Sequence, residues 1–336
     1  MSIPFIYSDY DKFSGADLNI LYKGVKGTIG VVGDGCSRGV DITGLVKNVQ
    51  KNSTGFDITG LAKIAKSYSK GVDITLGFKG VDDNSIGFDI TGLMKEVHGN
   101  SYGVDITGLI KLAKESRGVD VTGGLKLVYK KSVGFDVTGL VKTVIKGYSS
   151  GVDITGGVKS VKDNSKGVDI TGLMKFVDGN SYGVDFTGLL KTVGGNSKGV
   201  DATLVCKVVD KDFSGVDITG FFKYVEKNSI GVDVALMKEV HGNSVGFDIT
   251  GIYKNVGENS TGVSLSGLVN YSTGVKNFLI QYATLANIVK EVPDDAFLMQ
   301  VGLYNRAGTQ YCPILNVKGI KNIPKLIKKA FKKNGG

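Results

Sequence analysis

Residues 39–54 read GVDITGLVKNVQKNST, and near-copies of this stretch fill most of the 336-residue chain. A Gly followed by Val or Phe and then Asp opens almost every copy, and thirteen of the fourteen steps between openings are 15 or 16 residues. Such a short, regular period indicates a repeat architecture in which each copy stacks on its neighbours. The copies begin at Gly39, Gly55, Gly71, Gly87, Gly103, Gly118, Gly134, Gly151, Gly167, Gly183, Gly199, Gly215, Gly231 and Gly246, with a degenerate copy at Gly262.

Within a copy, positions are counted from the opening Gly, so that Gly39 is position 1 and Thr54 is position 16. β-Branched residues at positions 2 and 4 alternate with Asp and Thr at positions 3 and 5, which predicts a short strand. Gly at position 6 bends the chain, apolar residues at positions 7, 8 and 11 predict a second short strand, and Asn-Ser at positions 14 and 15 predicts a turn. Each copy is therefore predicted to be one coil of an elongated all-β parallel solenoid of about fifteen coils.

The main alternative is an antiparallel barrel in which each copy supplies one strand and one loop. Barrels of that kind alternate short turns with long loops, and their strands alternate over about ten residues. In this chain all connections have nearly the same length, and the alternation fails at position 6. The solenoid is therefore favoured.

Three regions are predicted along the chain. Residues 1–38 form an N-terminal cap with a weaker copy from Gly15, residues 39–274 form the repeat solenoid, and residues 275–336 form a C-terminal cap of mixed, partly helical structure. Residues 278–292 are mostly apolar and end at Pro293, which predicts a helix. A basic amphipathic helix is predicted at the end of the cap, where it would lie on an anionic membrane surface, bind a partner's groove or close the solenoid. Its candidate contact residues are Lys325, Leu326, Lys328, Lys329, Phe331, Lys332 and Lys333.

The formal charge of +9 is concentrated in residues 317–336, which carry seven Lys and no acid and leave a net charge of +2 on the rest. A nearly neutral repeat region lacks the basic surface that binds nucleic acid, so no nucleic-acid partner is expected. Cys36, Cys206 and Cys312 lie far apart without a His cluster, which predicts free thiols, no metal site and no cofactor.

Asp occupies position 3 in fourteen of fifteen copies, and Lys occupies position 9 equally often. Stacked carboxylates about 4.8 Å apart repel each other by roughly 0.9 kcal/mol per pair in water, so the Lys column is predicted to neutralise them on a solvated face. A second interpretation is that Asp and Thr form an exposed oxygen array that binds cations, a mineral or ice. The residues that define this predicted face are Asp41, Thr43, Asp57, Thr59, Asp89, Thr91, Asp105, Thr107, Asp153, Thr155, Asp169 and Thr171.

The apolar residues at positions 7 and 8 are adjacent, and adjacent residues on a strand face opposite sides. The favoured interpretation is that the bend turns both columns into the core. Otherwise one column forms an exposed apolar stripe for lateral assembly or membrane contact.

No catalytic motif stands out from the repeat. His98 and His241 occupy the same column of two separate copies, and the many Gly residues follow the repeat rather than a phosphate-binding or nucleophile motif. The chain is therefore predicted not to be an enzyme. A carbohydrate-active β-helix enzyme is the remaining catalytic alternative.

The segments GLVNYS (residues 267–272), GLYN (302–305) and ILNV (314–317) resemble a known pattern. The chain resembles bacterial surface-repeat proteins built from tandem GLQIGLVN-type units, best known from spirochaetes, with GVDITGLVK in place of GLQIGLVN over residues 15–317. The resemblance implies an association with the cell surface or envelope and no known reaction.

These observations predict a non-enzymatic scaffold that presents a regular face to a protein, a polymer or an envelope partner, with self-association as one variant. The alternative is a peripheral membrane protein held by the Lys-rich C-terminal helix. No conventional signal peptide and no apolar run long enough to span a bilayer are present, which predicts a cytoplasmic protein or export by a non-standard route.

Overall fold

The computed structural model describes residues 12–19, 31–33 and 36–322, which fall into two compact units, Met1–Gly172 and Leu173–Gly336. Both units are built from parallel β-coils, about 17 in the described residues, which confirms the predicted all-β parallel solenoid. The coil number exceeds the predicted fifteen because sequence on either side of the recognised copies also forms coils. None of the described residues belongs to a helix with the length and apolarity needed to cross a membrane.

The first unit contains sixteen strands in its described residues. They are β1 (Lys12–Asn19), β2 (Val31–Gly33), β3 (Cys36–Thr43), β4 (Val46–Val49), β5 (Ser53–Thr59), β6 (Ala62–Ala65), β7 (Ser69–Thr75), β8 (Phe78–Val81), β9 (Ser85–Thr91), β10 (Met94–Thr107), β11 (Ile110–Thr122), β12 (Leu125–Thr138), β13 (Val141–Val144), β14 (Ser149–Thr155), β15 (Val158–Val161) and β16 (Ser165–Thr171).

The second unit contains twelve strands and a short 3-10 turn, Ile320–Asn322, in its described residues. The strands are β17 (Met174–Val177), β18 (Ser181–Thr187), β19 (Leu190–Val193), β20 (Ser197–Thr203), β21 (Cys206–Val209), β22 (Phe213–Val225), β23 (Ser229–Val240), β24 (Ser244–Ser266), β25 (Val269–Ala283), β26 (Ala286–Glu291), β27 (Phe297–Ala307) and β28 (Gln310–Lys318).

Each coil has a long strand of about seven residues, from position 15 to position 5 of the next copy, and a short strand over positions 8 to 11. Long strands pair in parallel with long strands, so that β3, β5, β7 and β9 form one stack, while β4, β6 and β8 form the other. The pairing keeps like positions together, as Asp41 with Asp57 and Lys47 with Lys63. The weaker N-terminal copy is also in register, with Gly15 paired with Gly39. Every column of the repeat is therefore a column in space.

The Gly at position 1 is required by this stacking. Gly55 has a φ of +132°, and a Cβ placed on it would lie 2.0 Å from the carbonyl oxygen of Gly39 in the preceding coil. An L-residue would be strained by the dihedral and would also collide with the backbone. This is why the opening Gly recurs in copies whose outward residues vary.

The predicted helix over residues 278–292 of the C-terminal cap is wrong. The segment forms the end of β25 and all of β26, and β25 pairs with β27 in parallel through Leu279 and Gln281. Leu279, Gln281 and Ala283 are buried and alternate with more exposed residues, so the period is two and the segment continues the coil. The strand β28 reverses direction, since it pairs antiparallel with β27.

Two predicted cap elements lie outside the described residues. They are the first eleven residues of the N-terminal cap and the basic amphipathic helix, including Lys325, Leu326, Lys328, Lys329, Phe331, Lys332 and Lys333.

Candidate functional site

The interior of the coils is polar, contrary to the prediction of a solvated Asp and Thr face. Positions 3, 5, 9 and 15 all point inward, so Asp57 exposes 2 % of its surface and Thr59 and Lys63 expose none. Within residues 39–261 the one apolar interior column is position 11, which is Val or Ala. The whole predicted face is buried, namely Asp41, Thr43, Asp57, Thr59, Asp89, Thr91, Asp105, Thr107, Asp153, Thr155, Asp169 and Thr171.

The predicted neutralisation of Asp by Lys is confirmed, but in the interior. The ammonium of Lys63 lies 2.5 Å from Asp57 of its own coil, 2.5 Å from Asp73 of the next coil, and 3.1 Å from the hydroxyl of Ser69. The three N–H donors of the ammonium therefore have three acceptors. Ser69 in turn donates to Asp73.

We call the interior columns at positions 3 and 9 the ionic ladder. In the first unit it comprises Asp41, Lys47, Asp57, Lys63, Asp73, Lys79, Asp89, Lys95, Asp105, Lys111, Asp120, Lys126, Asp136, Lys142, Asp153, Lys159 and Asp169. In the second unit it comprises Lys175, Asp185, Lys191, Asp201, Lys207, Asp217, Lys223, Asp233, Lys238, Asp248 and Lys254. These described residues amount to fourteen Asp and fourteen Lys, so the buried charges balance.

The ladder favours the charged forms of Asp73 and Lys95. Burial by itself would raise the pKa of Asp73, but the adjacent ammonium groups of Lys63 and Lys79 outweigh burial and lower this pKa to about 2. Burial favours the neutral form of Lys95, yet Asp89 and Asp105 raise its pKa above the ordinary value. At Asp73 and Lys95, two flanking opposite charges thus offset the large desolvation cost of the buried ion.

Lys254 ends the ladder and differs from the interior lysines. It contacts one carboxylate, Asp248, and its next-coil acceptors are the hydroxyls of Ser260 and Ser264. Burial lowers the pKa of Lys254 and the single carboxylate does not restore it. Burial and neighbouring ammonium groups also lower the pKa of Lys126 and Lys223, although each contacts two carboxylates.

One coil replaces the interior Ser at position 15 with an aromatic ring. Phe213 is fully buried, and the ammonium groups of Lys207 and Lys223 lie 3.8 Å and 3.6 Å from its ring centroid. The ring face therefore takes the place of the Ser hydroxyl by cation–π attraction.

The buried Thr column does not form an ion-binding array. Thr43 donates to Asp41 and Thr219 donates to Asp217. In ten other coils the buried hydroxyl has no hydrogen-bond partner within the protein, each at a cost of about 1–3 kcal/mol. These are Thr59, Thr75, Thr91, Thr107, Thr122, Thr138, Thr155, Thr171, Thr187 and Thr203.

Beyond Lys254 the same columns carry amides, which we call the amide ladder. The position-9 column continues as Asn270, Asn287 and Asn305, in which each Nδ2 donates to the next Oδ1 at 3.1 Å and 2.9 Å. The position-3 column continues through Ser264 to three further amides, Gln281, Gln300 and Asn316, joined by hydrogen bonds of 3.0 Å.

The outside of the coils is apolar. The Leu at the bend near position 7 points outward, and Leu61, Leu93 and Leu109 leave 54 to 56 % of their surface exposed. The expectation that the bend turns both position 7 and position 8 into the core is therefore wrong. We call this column the leucine edge: Leu45, Leu61, Leu76, Leu93, Leu109 and Leu140 in the first unit, and Leu173, Leu189, Leu204, Phe221, Ile252, Leu268, Leu285 and Leu303 in the second.

The opposite edge of the coil carries the outward charges. We call positions 12 to 14, such as residues 50–52, the polar turn. His98 lies there with Asp82 at 3.5 Å and Glu96 at 3.4 Å, and both the imidazole and Asp82 are more than half exposed. Within the described residues, no group of three or more His, Cys, Asp or Glu side chains has a metal-binding arrangement. Cys206 and Cys312 are free thiols, as predicted.

Comparison of the chain with protein-family models, with curated proteins and with solved structures finds no match.

Proposed function

We propose that this chain is a non-enzymatic scaffold whose leucine edge and flanking apolar faces bind a partner. The observation that carries the proposal is the reversed distribution of polarity: Asp and Lys fill the interior, while Leu, Ile and Val columns face outward in register. Exposed apolar patches larger than a few hundred Å² are rare on proteins that remain alone and mark interaction surfaces.

The state of the polar groups supports a non-catalytic role. The ladder carboxylates are buried and paired with ammonium groups, so they are inaccessible to a substrate. His98 and His241 each lie on an exposed turn beside carboxylates of the same or adjacent coil. The resemblance to surface-repeat proteins favours a partner in the cell envelope.

Site-specific photocrosslinking in the producing cells tests the proposal. The photoreactive residue benzoylphenylalanine is placed either at Leu109, on the leucine edge, or at Lys114, on the polar turn of the same coil, since both side chains are exposed. We expect a discrete adduct from position 109 and none from position 114. The adduct should disappear when Leu93 and Leu140, on adjoining parts of the edge, are changed to Glu.

The mass of the adduct identifies the class of partner as protein, a second copy of the chain, or lipid. Equal adducts from both positions, or an adduct that persists with Leu93→Glu and Leu140→Glu, would contradict the proposal.

A further inference from the structure

Three contiguous sides of each coil are almost free of charge. They are the outer face of the long strand at positions 2 and 4, the leucine edge, and the outer face of the short strand at positions 8 and 10. In residues 39–261, all of which are described, these positions carry only two charged residues, Glu96 and Glu239. Each has a histidine nearby, at 3.4 Å and 3.6 Å. The apolar surface thus wraps around the coil instead of forming one patch.

Apart from Glu96 and Glu239, the outward charged side chains of residues 39–261 lie on the polar turn or at position 16, whereas Tyr224 and Tyr253 lie on the outer face of the short strand. Lys66, Asp82 and Lys114 lie on the polar turn, and all four tyrosines within residues 36–172 lie there or at the adjoining position 16. These tyrosines are Tyr68, Tyr102, Tyr129 and Tyr148. Tyr and Lys side chains flanking an apolar surface are typical of the boundary between hydrocarbon and water.

The wrapped geometry favours lipid over a protein partner. A second copy packing sheet against sheet would cover one face and leave the other face and the leucine edge in water. Hydrocarbon covers all three sides at once. Insertion into hydrocarbon requires that polar groups have partners within the protein. The coils meet this requirement, because backbone groups form hydrogen bonds between adjacent coils and the interior ions are paired.

The depth of the apolar surface matches the thickness of the hydrocarbon layer in one leaflet of a bilayer. Position 2 is about five residues from the leucine edge, or about 16 Å at 3.3 Å per residue. Half of the hydrocarbon core of a bilayer is about 15 Å. Lys70, Tyr102 and Arg117, at position 16, would then lie at the level of the headgroups.

We infer that the coils of each unit insert their leucine edge and flanking faces into one leaflet of an anionic lipid bilayer, with the polar turns at the headgroups. This inference rests on the proposed scaffold function and names its partner. The seven Lys of residues 317–336, which no acid accompanies, select an anionic surface. Apolar insertion combined with a basic segment gives stable membrane association where either alone is weak.

The test uses the full chain with one reporter thiol. Cys206 is at position 8 on the outer face of a short strand, so Cys36→Ser and Cys312→Ser leave it as the only site for an environment-sensitive fluorophore. The matched control adds Cys206→Ser and places the thiol by Lys211→Cys, on the exposed polar turn that follows the same short strand. Each labelled protein is mixed with vesicles of phosphatidylcholine alone or with phosphatidylserine.

We expect flotation with the anionic vesicles, quenching of the Cys206 label by nitroxides on the acyl chains, and continued quenching of the Lys211→Cys label by aqueous iodide. The triple variant Leu93→Glu, Leu109→Glu and Leu140→Glu should float at least tenfold less. A charge-matched triple variant on the polar turn, Gln50→Glu, Ser67→Glu and Ile145→Glu, should float like the wild type, and circular dichroism verifies that both fold.

The inference is overturned if the chain does not float with either vesicle, if iodide quenches the Cys206 label equally with and without vesicles, or if the two triple variants float alike. A protein or self adduct from Leu109 in the crosslinking experiment, together with no flotation, would retain the scaffold function and reject the bilayer. Absence of both would reject both.

Discussion

Two parts of the second unit use the same columns with different chemistry. From Lys175 to Lys254 the interior is ionic, and the ammonium of Lys191, for example, bridges the two stacks by contacting Asp185 of its own coil and Asp201 of the next coil. From Ser264 to Asn316 the interior is amide, and each side chain bonds along its own column or to backbone carbonyls. Side-chain ion pairs therefore join the two stacks in the ionic part, whereas side-chain hydrogen bonds to backbone carbonyls join them in the amide part, as from Asn270 to Tyr282 and from Gln300 to Arg306.

The difference explains where apolar packing is found. In the amide part, Val275, Leu279, Val289 and Leu298 form a buried cluster between the stacks. In the ionic part, buried apolar residues are mainly the single Val column at position 11 and Phe213. The two stacks of strands can therefore be held together by bridging ions, or by amide side chains with an added apolar core. These two kinds of interior should respond differently to acid and to mutation.

Lowering the pH should produce the largest difference in stability between the ionic part and the amide part. The ladder carboxylates of the second unit have pKa values below the ordinary 3.8 because the adjacent ammonium groups outweigh burial; they are Asp185, Asp201, Asp217, Asp233 and Asp248. In the first unit Lys142 and Lys159 outweigh burial in the same way and lower the pKa of Asp153 to about 2. A carboxylate whose pKa is lowered by folding raises the free energy of unfolding, here by about 2 kcal/mol per carboxylate. This contribution is complete above about pH 4 and is lost as the pH falls through the pKa of the folded state. Hydrogen exchange corrected for intrinsic rates should show residues 175–254 losing protection towards pH 2 before residues 264–316. Earlier loss in the amide coils would contradict the contrast.

Removing one ladder cation should have the next largest effect. Lys191→Met leaves Asp185 and Asp201 buried without the ammonium that both contact, and should lower the free energy of unfolding by about 3–5 kcal/mol. Asn287→Ala removes hydrogen bonds from uncharged groups and should cost about 1–3 kcal/mol. Denaturant unfolding measures both. Lys211→Met on the polar turn is the control, and a loss there as large as that of Lys191→Met would argue against a buried ladder.

Substitution of Phe213 should reveal an interior that prefers a hydroxyl to a methyl group. Phe213→Ala should cost about 3–5 kcal/mol because it leaves a cavity. Phe213→Ser restores the residue found at this position in most coils, next to Lys207 and Asp217, and should be about 1 kcal/mol more stable than the Ala variant. In an apolar core the order would be reversed. Thermal unfolding of the two variants decides between these outcomes.

Salt should have the smallest effect. The lysines of the ladder expose 0 to 3 % of their side chains, so dissolved ions cannot screen their pairs as they screen surface pairs. The Tm at 1 M sodium chloride should lie within a few degrees of the Tm at 0.1 M. A much larger fall of the Tm would indicate ion pairs that dissolved ions can reach.

The repeat predicted the coil, the register and the pairing of Asp with Lys, because each depends only on spacing. It did not predict which side of the strand faces inward. Alternation of Val40 and Ile42 with Asp41 and Thr43 defines two faces, and burial of apolar surface normally decides between them. Here the acceptors around ladder ammonium groups such as that of Lys63 reverse that choice, and they come together only when coils are stacked.

A signal for the reversal was nevertheless present in the copies. Positions 3, 5, 9 and 15 hardly change, whereas position 8 varies among Val, Ala, Phe, Met, Ile, Leu, Cys and Tyr. Interior positions of a stacked coil tolerate little change because neighbours above and below must match, while an outward apolar position has no such constraint. The missed C-terminal coils have the same explanation, since Gln281 and Gln300 continue the position-3 column without the opening Gly.

The central claim is that the charged columns are inside and the apolar columns outside. Amine-reactive labelling of the native protein, read by mass spectrometry, tests it directly because the chain carries lysines in both environments. We predict that the ladder lysines, such as Lys63, Lys95 and Lys191, remain unmodified while Lys66, Lys114 and Lys211 on the polar turns react quickly. Modification of the ladder lysines at the rate of the polar-turn lysines, without loss of the fold, would contradict the account.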